Sequence, residues 1–271
     1  MNTDLCTSDF HIHTAISPCA DRSAGAAGYI EQAKRLGMTK LGFSNHFWDE
    51  DVPGASPFYS ELSTARLQTL LPELESADIP EGMRVFFGCE TEMPLDDSIA
   101  LLPEHAPLFE YILIPTTHFN LKDLTISSSV KDPAEVGQLM VDRFLIAAQS
   151  ELSRERRTAL CHPFTPYGFF DVADELLGGI TDGELEYCFS TAAGLGVPVE
   201  VNRKMLLAEG MSMDGSGFPY QFVRIMTVAR ECGCAIYHGT DSHSVRDLEF
   251  NAEGLFGRFA RACGIEYSDL L

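Results

Sequence analysis

The chain has few basic residues and no long apolar run. It carries 19 Lys+Arg against 40 Asp+Glu, a formal net charge of −21 over 271 residues. Because affinity for a nucleic-acid backbone comes largely from Lys and Arg, this balance argues against a nucleic-acid partner. No apolar stretch approaches a membrane span, and no charged segment followed by an apolar one marks a secretory signal. We therefore expect a cytoplasmic protein that makes no use of a membrane.

Paired cysteines and compositionally biased segments are also missing. The eight cysteines are dispersed without a CxxC pair, which predicts reduced thiols rather than a disulfide framework. No low-complexity segment or Pro/Gly-rich linker divides the chain, so we expect residues 1–271 to form one domain. Hydrophobic residues make up 45% of the sequence, enough for a substantial core. The sequence does not indicate an oligomeric state.

Short apolar runs alternate with segments whose apolar residues recur at helical spacing. One such stripe predicts a helix across Leu62, Ala65, Leu67 and Leu70, and Asp132-Pro133 predicts the start of another. Strands that alternate with helices predict a parallel sheet. The predicted strands cover about 8–13, 40–44, 84–89, 111–115, 158–161, 197–201 and 234–237. Seven such units favour a closed or nearly closed β/α barrel over an open doubly wound sheet, with the site at the C-terminal ends of the strands.

Six of the eight histidines stand at the ends of these apolar runs. His11 and His13 are two residues apart, so on a strand both side chains point to the same side. Asp241 and His243 repeat this spacing after the last predicted strand. Single candidates end four other runs: His46, Glu90, His118 and His162. Imidazole and carboxylate are common ligands of Zn²⁺, Fe²⁺ and Mn²⁺, so the pattern predicts a polynuclear metal site with hydrolytic chemistry.

These motifs resemble those of the PHP (polymerase and histidinol phosphatase) family. The chain carries, in order, DFHIH, SNH, GCE, TTHF, CHP and TDSH. The resemblance extends from about residue 8 to residue 245, and the remaining tail is expected to form a closing helix. It implies a distorted (β/α)7 barrel that holds two to three divalent metal ions, with Zn, Fe or Mn equally suited.

The resemblance also implies which residues share each metal. His11, His13, Glu90 and Asp241 would hold the first ion. Glu90 would bridge to a second ion, which would also be held by His118 and His162.

The third ion would be held by His46, His243 and one residue of the loop after the first strand. Many family members have a histidine in that loop where this chain has Cys19. A Cys19 thiolate would suit zinc, whereas Asp21 would favour a harder ion. If neither binds, the third site is weak or empty.

A site with several metals suits the hydrolysis of a phosphate ester. A hydroxide that bridges two cations about 3.5–4 Å apart is a good nucleophile near neutral pH. We therefore expect a metal-dependent phosphomonoesterase acting on a small anionic metabolite, either histidinol phosphate or another small organic phosphate. A phosphodiesterase or nuclease and a non-catalytic metal-binding module are the alternatives. An amidohydrolase is disfavoured because no lysine follows a strand where that chemistry usually needs one.

Residues outside the ligand set have less specific signals. Arg203 follows the sixth predicted strand and could make a forked contact with phosphate or a surface salt bridge. Together with Glu90 and Asp241, it is the expected catalytic group. Glu200 could hydrogen-bond a polar substrate or fix its loop. Glu92 could be a pocket acid, but an ordinary turn residue is expected. Three aromatic residues that follow predicted ligands could line a pocket or pack the loops: Phe47, Trp48 and Phe119.

Overall fold

Seven parallel strands pair in chain order to form the centre of the fold. The computed structural model describes residues 6–154, 158–268 and 270. A parallel bridge between Ile12 and Ser242 joins the end of the first strand to the segment after the last one. The strands are β1 (Ser8–Ile12), β2 (Lys40–Phe43), β3 (Arg84–Glu90), β4 (Tyr111–Pro115), β5 (Thr158–Cys161), β6 (Val199–Asn202) and β7 (Ile236–Gly239). The distorted (β/α)7 barrel expected from the sequence is confirmed.

Helices follow the strands and cover the outside of the sheet. Within the described residues they are α1 (Ala26–Leu36), α2 (Thr64–Gln68), α3 (Leu71–Ser76), α4 (Pro133–Gln149), α5 (Glu151–Arg154), α6 (Ala173–Gly179), α7 (Asp182–Leu195), α8 (Arg203–Leu206), α9 (Tyr220–Glu231) and α10 (Leu255–Cys263). No helix in the described part of the chain is both long and apolar enough to cross a membrane.

Local sequence explains where the main helices start and stop. Helix α4 begins as predicted, because the Asp132 side chain accepts a hydrogen bond from Ala134 N and Pro133 occupies the first turn. Helix α1 ends at Gly37, whose φ of 71° is the left-handed conformation that glycine adopts without strain. Helix α7 begins with a reciprocal cap between Thr181 and Glu184.

Two details differ from the predicted elements. The apolar stripe from Leu62 to Leu70 does not lie on one helix. Helix α2 ends at Gln68, and a second short helix starts at Leu71. Pro72 lies in the first turn of α3, where its missing N–H leaves no helical hydrogen bond unmade. Strand β6 begins later than predicted, directly after Pro198, a residue that cannot donate to the strand ladder.

The lower half of the barrel interior is apolar. The rings of Phe10 and Phe86 lie 5.4 Å apart, and Phe10 meets Tyr111 edge to face at 5.7 Å. Gly88 makes room for this packing, because a Cβ at that position would collide with the Tyr111 ring. We call this cluster the lower layer; its members are Phe10, Phe86, Tyr111, Leu113, Ala159, Cys161 and Tyr237.

The upper half of the interior is polar although it is built on the same strands. Along β3, alternate positions change from Phe86 through Gly88 to Glu90. In β1 the pairing register with β2 shifts between Asp9 and Ile12. We call the polar group at the C-terminal ends of the strands the upper layer; its members are His11, His13, His46, Glu90, His118, His162, Asp241 and His243.

Candidate metal centre

Glu90, the last residue of β3, occupies the middle of the upper layer. Its Oε1 lies 2.9 Å from His162 Nε2, 3.5 Å from His11 Nε2 and 3.6 Å from His118 Nε2. Its Oε2 lies 2.9 Å from His46 Nδ1. The backbone of Glu90 pairs with the segment around His46, which continues the sheet past the end of β2. One carboxylate therefore faces ring nitrogens from four different strand ends.

Asp241 provides the second carboxylate of the upper layer. Its Oδ1 lies 3.2 Å from His13 Nε2, 3.6 Å from His11 Nε2 and 3.5 Å from His243 Nδ1. His13 Nε2 is also 3.4 Å from Glu90 Oε2, so the two carboxylates share this imidazole as a neighbour. The structure thus brings all eight upper-layer side chains to one place.

Several buried polar atoms of the upper layer have no hydrogen-bond partner among the described residues. They include Nε2 of His11 and Nε2 of His13, and also Nδ1 of His46 and Oε2 of Glu90, which lie 2.9 Å apart without the alignment of a hydrogen bond. Leaving such atoms unpaired in the interior is costly, and metal coordination would satisfy them. Imidazole nitrogens and carboxylate oxygens that converge in this way form a donor set suited to Zn²⁺, Fe²⁺ or Mn²⁺. The residues present fit a metal centre.

The electrostatics of the cluster keep its carboxylates ionised. Burial would raise the pKa of Glu90, but His46, His11 and His118 hold that pKa well below its usual range. Burial also opposes ionisation of Asp241, yet His11 and His13 hold its pKa well below the usual range. Burial lowers the pKa of His13, and the neighbouring His46 and His243 lower it further. Burial would lower the pKa of His11 and His46, but the neighbouring carboxylates hold both pKa values well above the usual range, so a bound cation would displace protons from these rings.

Two upper-layer residues hold an uncommon backbone conformation. His162 has φ of 33° and Asp241 has φ of 53°, both in the left-handed region that disfavours side chains with a Cβ. Strain of this kind persists only where surrounding contacts enforce it, and it concentrates at functional sites. In each case the chain turns sharply as the strand ends, so that the side chain faces the others.

The two candidate ligands in the loop after β1, Cys19 and Asp21, lie in different surroundings. Cys19 is exposed and lines the cavity, and its thiol interacts with the side chains of His243 and His46. Burial alone would raise the pKa of Cys19, but these contacts lower it to about 6. The carboxylate of Asp21 instead accepts hydrogen bonds from Ser23 N and Ser23 Oγ, both at 2.9 Å, and is solvent-exposed. Of the two, only Cys19 points into the cluster.

Glu200 on β6 orients two upper-layer residues. Its Oε1 lies 2.8 Å from His11 Nδ1, and its Oε2 accepts a hydrogen bond from His162 N at 2.6 Å. Asn202 Nδ2 also donates to Oε2 at 3.1 Å. Gly239 leaves the space this carboxylate needs, since a Cβ there would collide with Glu200 and His11. Such outer partners fix the tautomer and ring orientation of a metal-binding histidine.

Glu92 orients the ring of His118, as Glu200 orients that of His11. The expectation that Glu92 is an ordinary turn residue is wrong. Its Oε2 lies 2.8 Å from His118 Nδ1 and accepts a hydrogen bond from Tyr59 OH at 2.7 Å. Glu92 is fully buried, and Oε1 accepts from Met93 N at 2.9 Å. The Glu92 carboxylate therefore fixes the ring of one candidate ligand from outside the cluster.

Cys161 marks the boundary between the two layers. Its thiol donates to Glu90 Oε1 at 3.4 Å, and burial raises its pKa well above the usual value. Its sulfur also lies within 4.8 Å of ligand atoms of His11, Glu90 and His162, and a bound cation would displace the thiol proton, so Cys161 is a further candidate ligand. The two histidines outside the predicted ligand set lie elsewhere: His238 Nε2 is 2.9 Å from Ser8 O, and His105 Nδ1 is 2.8 Å from Asp49 Oδ2.

A cavity of about 450 Å³ opens beside the upper layer. Arg203 lies at its edge, with Nη1 3.0 Å from Asp247 Oδ1, so the salt bridge considered from the sequence is present. None of the three aromatic residues that follow predicted ligands lines this cavity. Phe47, Trp48 and Phe119 are buried and pack in the core. The cavity is lined by Cys19, His46, Phe58, Tyr59, His118, Asn120, Leu121, Tyr167, Arg203, Lys204, Asp241 and His243.

Arg143, a buried residue of α4, holds the loops that carry part of this lining. Its guanidinium donates to Thr116 O at 3.1 Å and to Thr125 O at 2.8 Å. Both carbonyls belong to the segment that contains His118, Asn120 and Leu121. A helix on the outside of the barrel therefore fixes one wall of the cavity.

Comparisons with known proteins identify relatives by structure only. Neither models of known protein families nor curated protein sequences match the chain. The crystal structure of histidinol phosphate phosphatase from Lactococcus lactis, complexed with zinc, L-histidinol and phosphate, superposes with a TM-score of 0.61 at 15% identity, covering 96% of this chain and 95% of that one. A putative histidinol phosphatase structure from Listeria monocytogenes gives a TM-score of 0.59 at 12% identity, covering 89% and 97%. At such low identity these similarities establish the barrel fold.

Proposed function

We propose that this chain is a metal-dependent phosphomonoesterase acting on small organic phosphates. The observation that carries the proposal is the convergence of six imidazoles and two carboxylates, with unpaired buried donor atoms, on one cavity. Divalent cations in this position activate water and neutralise phosphoryl charge during hydrolysis. The shared fold of the zinc-, histidinol- and phosphate-containing Lactococcus lactis enzyme supports a phosphatase, and PHP-family membership belongs to the same proposal.

The chain would divide its ligands as follows. His11, His13, Glu90 and Asp241 would hold the first ion, and Glu90, His118 and His162 the second. The distances of Glu90 Oε1 and Oε2 to imidazoles on both sides support its bridging position. His46, His243 and Cys19 would hold a third ion, and the contacts of Cys19 with both histidines favour it over Asp21.

Arg203 would bind the phosphoryl group of the substrate. A guanidinium offers several donors in a fixed plane and matches the oxygens of a phosphate. Asp247 holds one end of Arg203 at 3.0 Å, which limits the rotamers of a long side chain at the edge of the cavity. Arg203 on the phosphoryl group, together with the ions that Glu90 and Asp241 would hold, would position the ester for attack by water.

The test is phosphate release from an aryl phosphate by the metal-loaded protein. His118→Ala removes a ligand and should lower turnover by about 10²-fold or more. His105→Ala is the matched control, because His105 pairs with Asp49 and does not line the cavity. Unchanged turnover in His118→Ala would contradict the proposal. Metal binding without hydrolysis of any phosphate ester would indicate a non-catalytic module, and cleavage of an oligonucleotide alone would indicate a nuclease.

A further inference from the structure

The cavity is cationic and apolar although the protein as a whole is strongly acidic. The chain has 40 acidic residues, yet among the described residues that line the cavity the only carboxylate is Asp241, which belongs to the metal cluster. Arg203 and Lys204 are the charged lining residues outside that cluster. Outside the metal cluster the charged lining residues are therefore positive, and this charge affects which substrates can bind.

Aromatic and aliphatic side chains form another part of the lining. The ring of Phe58 lies 5.7 Å from that of His46, and the ring of Tyr167 lies 5.6 Å from that of His118. Leu121 belongs to the same lining, and both Phe58 and Tyr167 are half-buried. The Tyr167 hydroxyl donates to Asp241 Oδ2 at 3.4 Å, so this residue presents mainly ring surface to a ligand.

Three carboxylates that contact residues of the lining or of the metal cluster are already engaged. Asp247 pairs with Arg203 and accepts hydrogen bonds from His243 N and Ser244 N at 3.1 and 2.9 Å. Glu92 is engaged by His118 and Tyr59, and Glu200 is buried behind His11. A substrate ammonium group would therefore lose its water and find no carboxylate, while it approached two protein cations. Both effects disfavour binding.

We propose that the cavity selects phosphomonoesters whose alcohol part is apolar or aromatic and carries no positive charge. The inference rests on the proposed phosphatase function and names the substrate class of that site. The phosphoryl group would lie between the metal ligands and Arg203, and the alcohol part would cover Phe58, Leu121 and Tyr167. Histidinol phosphate, which carries an ammonium group, falls outside this class.

The decisive experiment uses two esters that differ by one amino group: 3-phenylpropyl phosphate and phenylalaninol phosphate. We expect kcat/KM of the metal-loaded protein to be at least about tenfold higher for the ester without the amine. Equal values, or a preference for phenylalaninol phosphate, would overturn the inference. Calorimetry with the two corresponding phosphonates measures the same discrimination without turnover. Absence of hydrolysis would thus refute the phosphatase, whereas equal phosphonate affinities would refute the selectivity.

Reversing the charge of Lys204 tests whether the cationic lining causes the preference for the amine-free ester. Lys204 is exposed and lines the cavity, so Lys204→Glu adds a carboxylate without disturbing the core. The preference for the amine-free ester should fall by about tenfold in this variant. Lys131→Glu makes the same change in net charge at an exposed position outside the lining and should leave the preference unaltered. An unchanged ratio in Lys204→Glu, or equal changes in both variants, would contradict the inference.

The apolar wall is tested separately. Phe58→Ala should raise KM for 3-phenylpropyl phosphate by about tenfold, because an aromatic contact is lost, and leave KM for propyl phosphate nearly unchanged. If both KM values rose equally, Phe58 would contribute to the shape of the whole site and not to recognition of the alcohol.

Discussion

The lower and upper layers of the barrel interior share their strands but differ in chemistry. The lower layer packs Phe10, Phe86 and Tyr111 around one another, as a hydrophobic core does. The upper layer, further along the same strands and just past their ends, buries histidines and carboxylates with unpaired donor atoms. Burying apolar surface stabilises the fold, whereas unpaired buried polar atoms lower its stability. The comparison indicates that the lower layer supplies stability and the upper layer uses some of it for metal binding.

The largest effect should follow a change at the centre of the upper layer. Glu90→Gln keeps the shape of the side chain but removes the charge that faces five imidazoles, and we expect phosphate release to fall by about 10³-fold or more. The imidazoles that hold the pKa of Glu90 well below its usual range would lose their counter-charge, so the metal-free variant should also unfold at a lower temperature. Glu81→Gln, at an exposed position, is the matched control. Retained activity would blur the distinction between the layers.

The converse change is made in the lower layer. Leu113 is completely buried, and Leu113→Ala should lower the free energy of unfolding by about 2–5 kcal/mol, as measured by denaturant titration. Activity per folded molecule should stay within about threefold of the parent, because no donor atom is lost. Ile146→Ala, at a side chain that is 40% exposed, should change stability much less. A loss of activity in Leu113→Ala comparable to that in Glu90→Gln would show that the layers act as one unit.

A residue that supports the upper layer without entering it should have an intermediate effect. Glu200→Gln weakens the contacts to His11 Nδ1 and His162 N, and we expect metal affinity to fall by about 10–100-fold. Competition with a chelator of known affinity measures this change independently of turnover. Glu186→Gln serves as the exposed control. Unaltered affinity in Glu200→Gln would mean that the strand ends alone fix the rings.

The smallest expected effect concerns Cys19 at the edge of the upper layer. With a pKa of about 6, its alkylation in the metal-free protein should be half-maximal near pH 6. Below that pH the rate should fall, because the reactive thiolate takes up a proton; an ordinary cysteine reaches half-maximum near about pH 8.5. At neutral pH the advantage should be on the order of tenfold, since a low pKa also reduces nucleophilicity.

Added Zn²⁺ should protect Cys19 from alkylation if the thiolate binds the third ion. Cys19→Ser should abolish the fast reaction, whereas Cys232→Ser should retain it. A midpoint near pH 8.5, or no protection by zinc, would remove Cys19 from the proposed ligand set and leave the third site with His46 and His243.

The sequence predicted the barrel and the placement of the histidines because both signals are local. A short apolar run followed by His118 or His162 contains the strand and the side chain at its end within a few residues. The carboxyl ends of parallel strands meet at one mouth, so their convergence follows from topology. The same reasoning could not place the end of α2 at Gln68, because the apolar spacing continues to Leu70.

The supporting residues were harder to predict because their partners are distant in sequence. Glu200 contacts His11, 189 positions away, and nothing near residue 200 indicates that contact. Glu92 was misinterpreted for the same reason, since its partners Tyr59 and His118 lie on other loops. The lining residue Phe58 lies in a loop without strand or helix periodicity. An isolated carboxylate in an otherwise apolar strand, such as Glu200 between Val199 and Val201, is the signal that could have been used.

The bridge between Ile12 and Ser242 has a consequence for how the protein matures. His11 and His13 are made at the beginning of the chain, whereas Asp241 and His243 are made near its end; beside them Asp9 bonds Thr240, 231 positions further on. During translation the first two imidazoles leave the ribosome long before the residues that complete their coordination. An ion held by both this HxH pair and Asp241 could therefore be fully coordinated only after the segment up to His243 has been made, and a shorter nascent chain would expose the HxH pair to whichever transition metal the cell supplies.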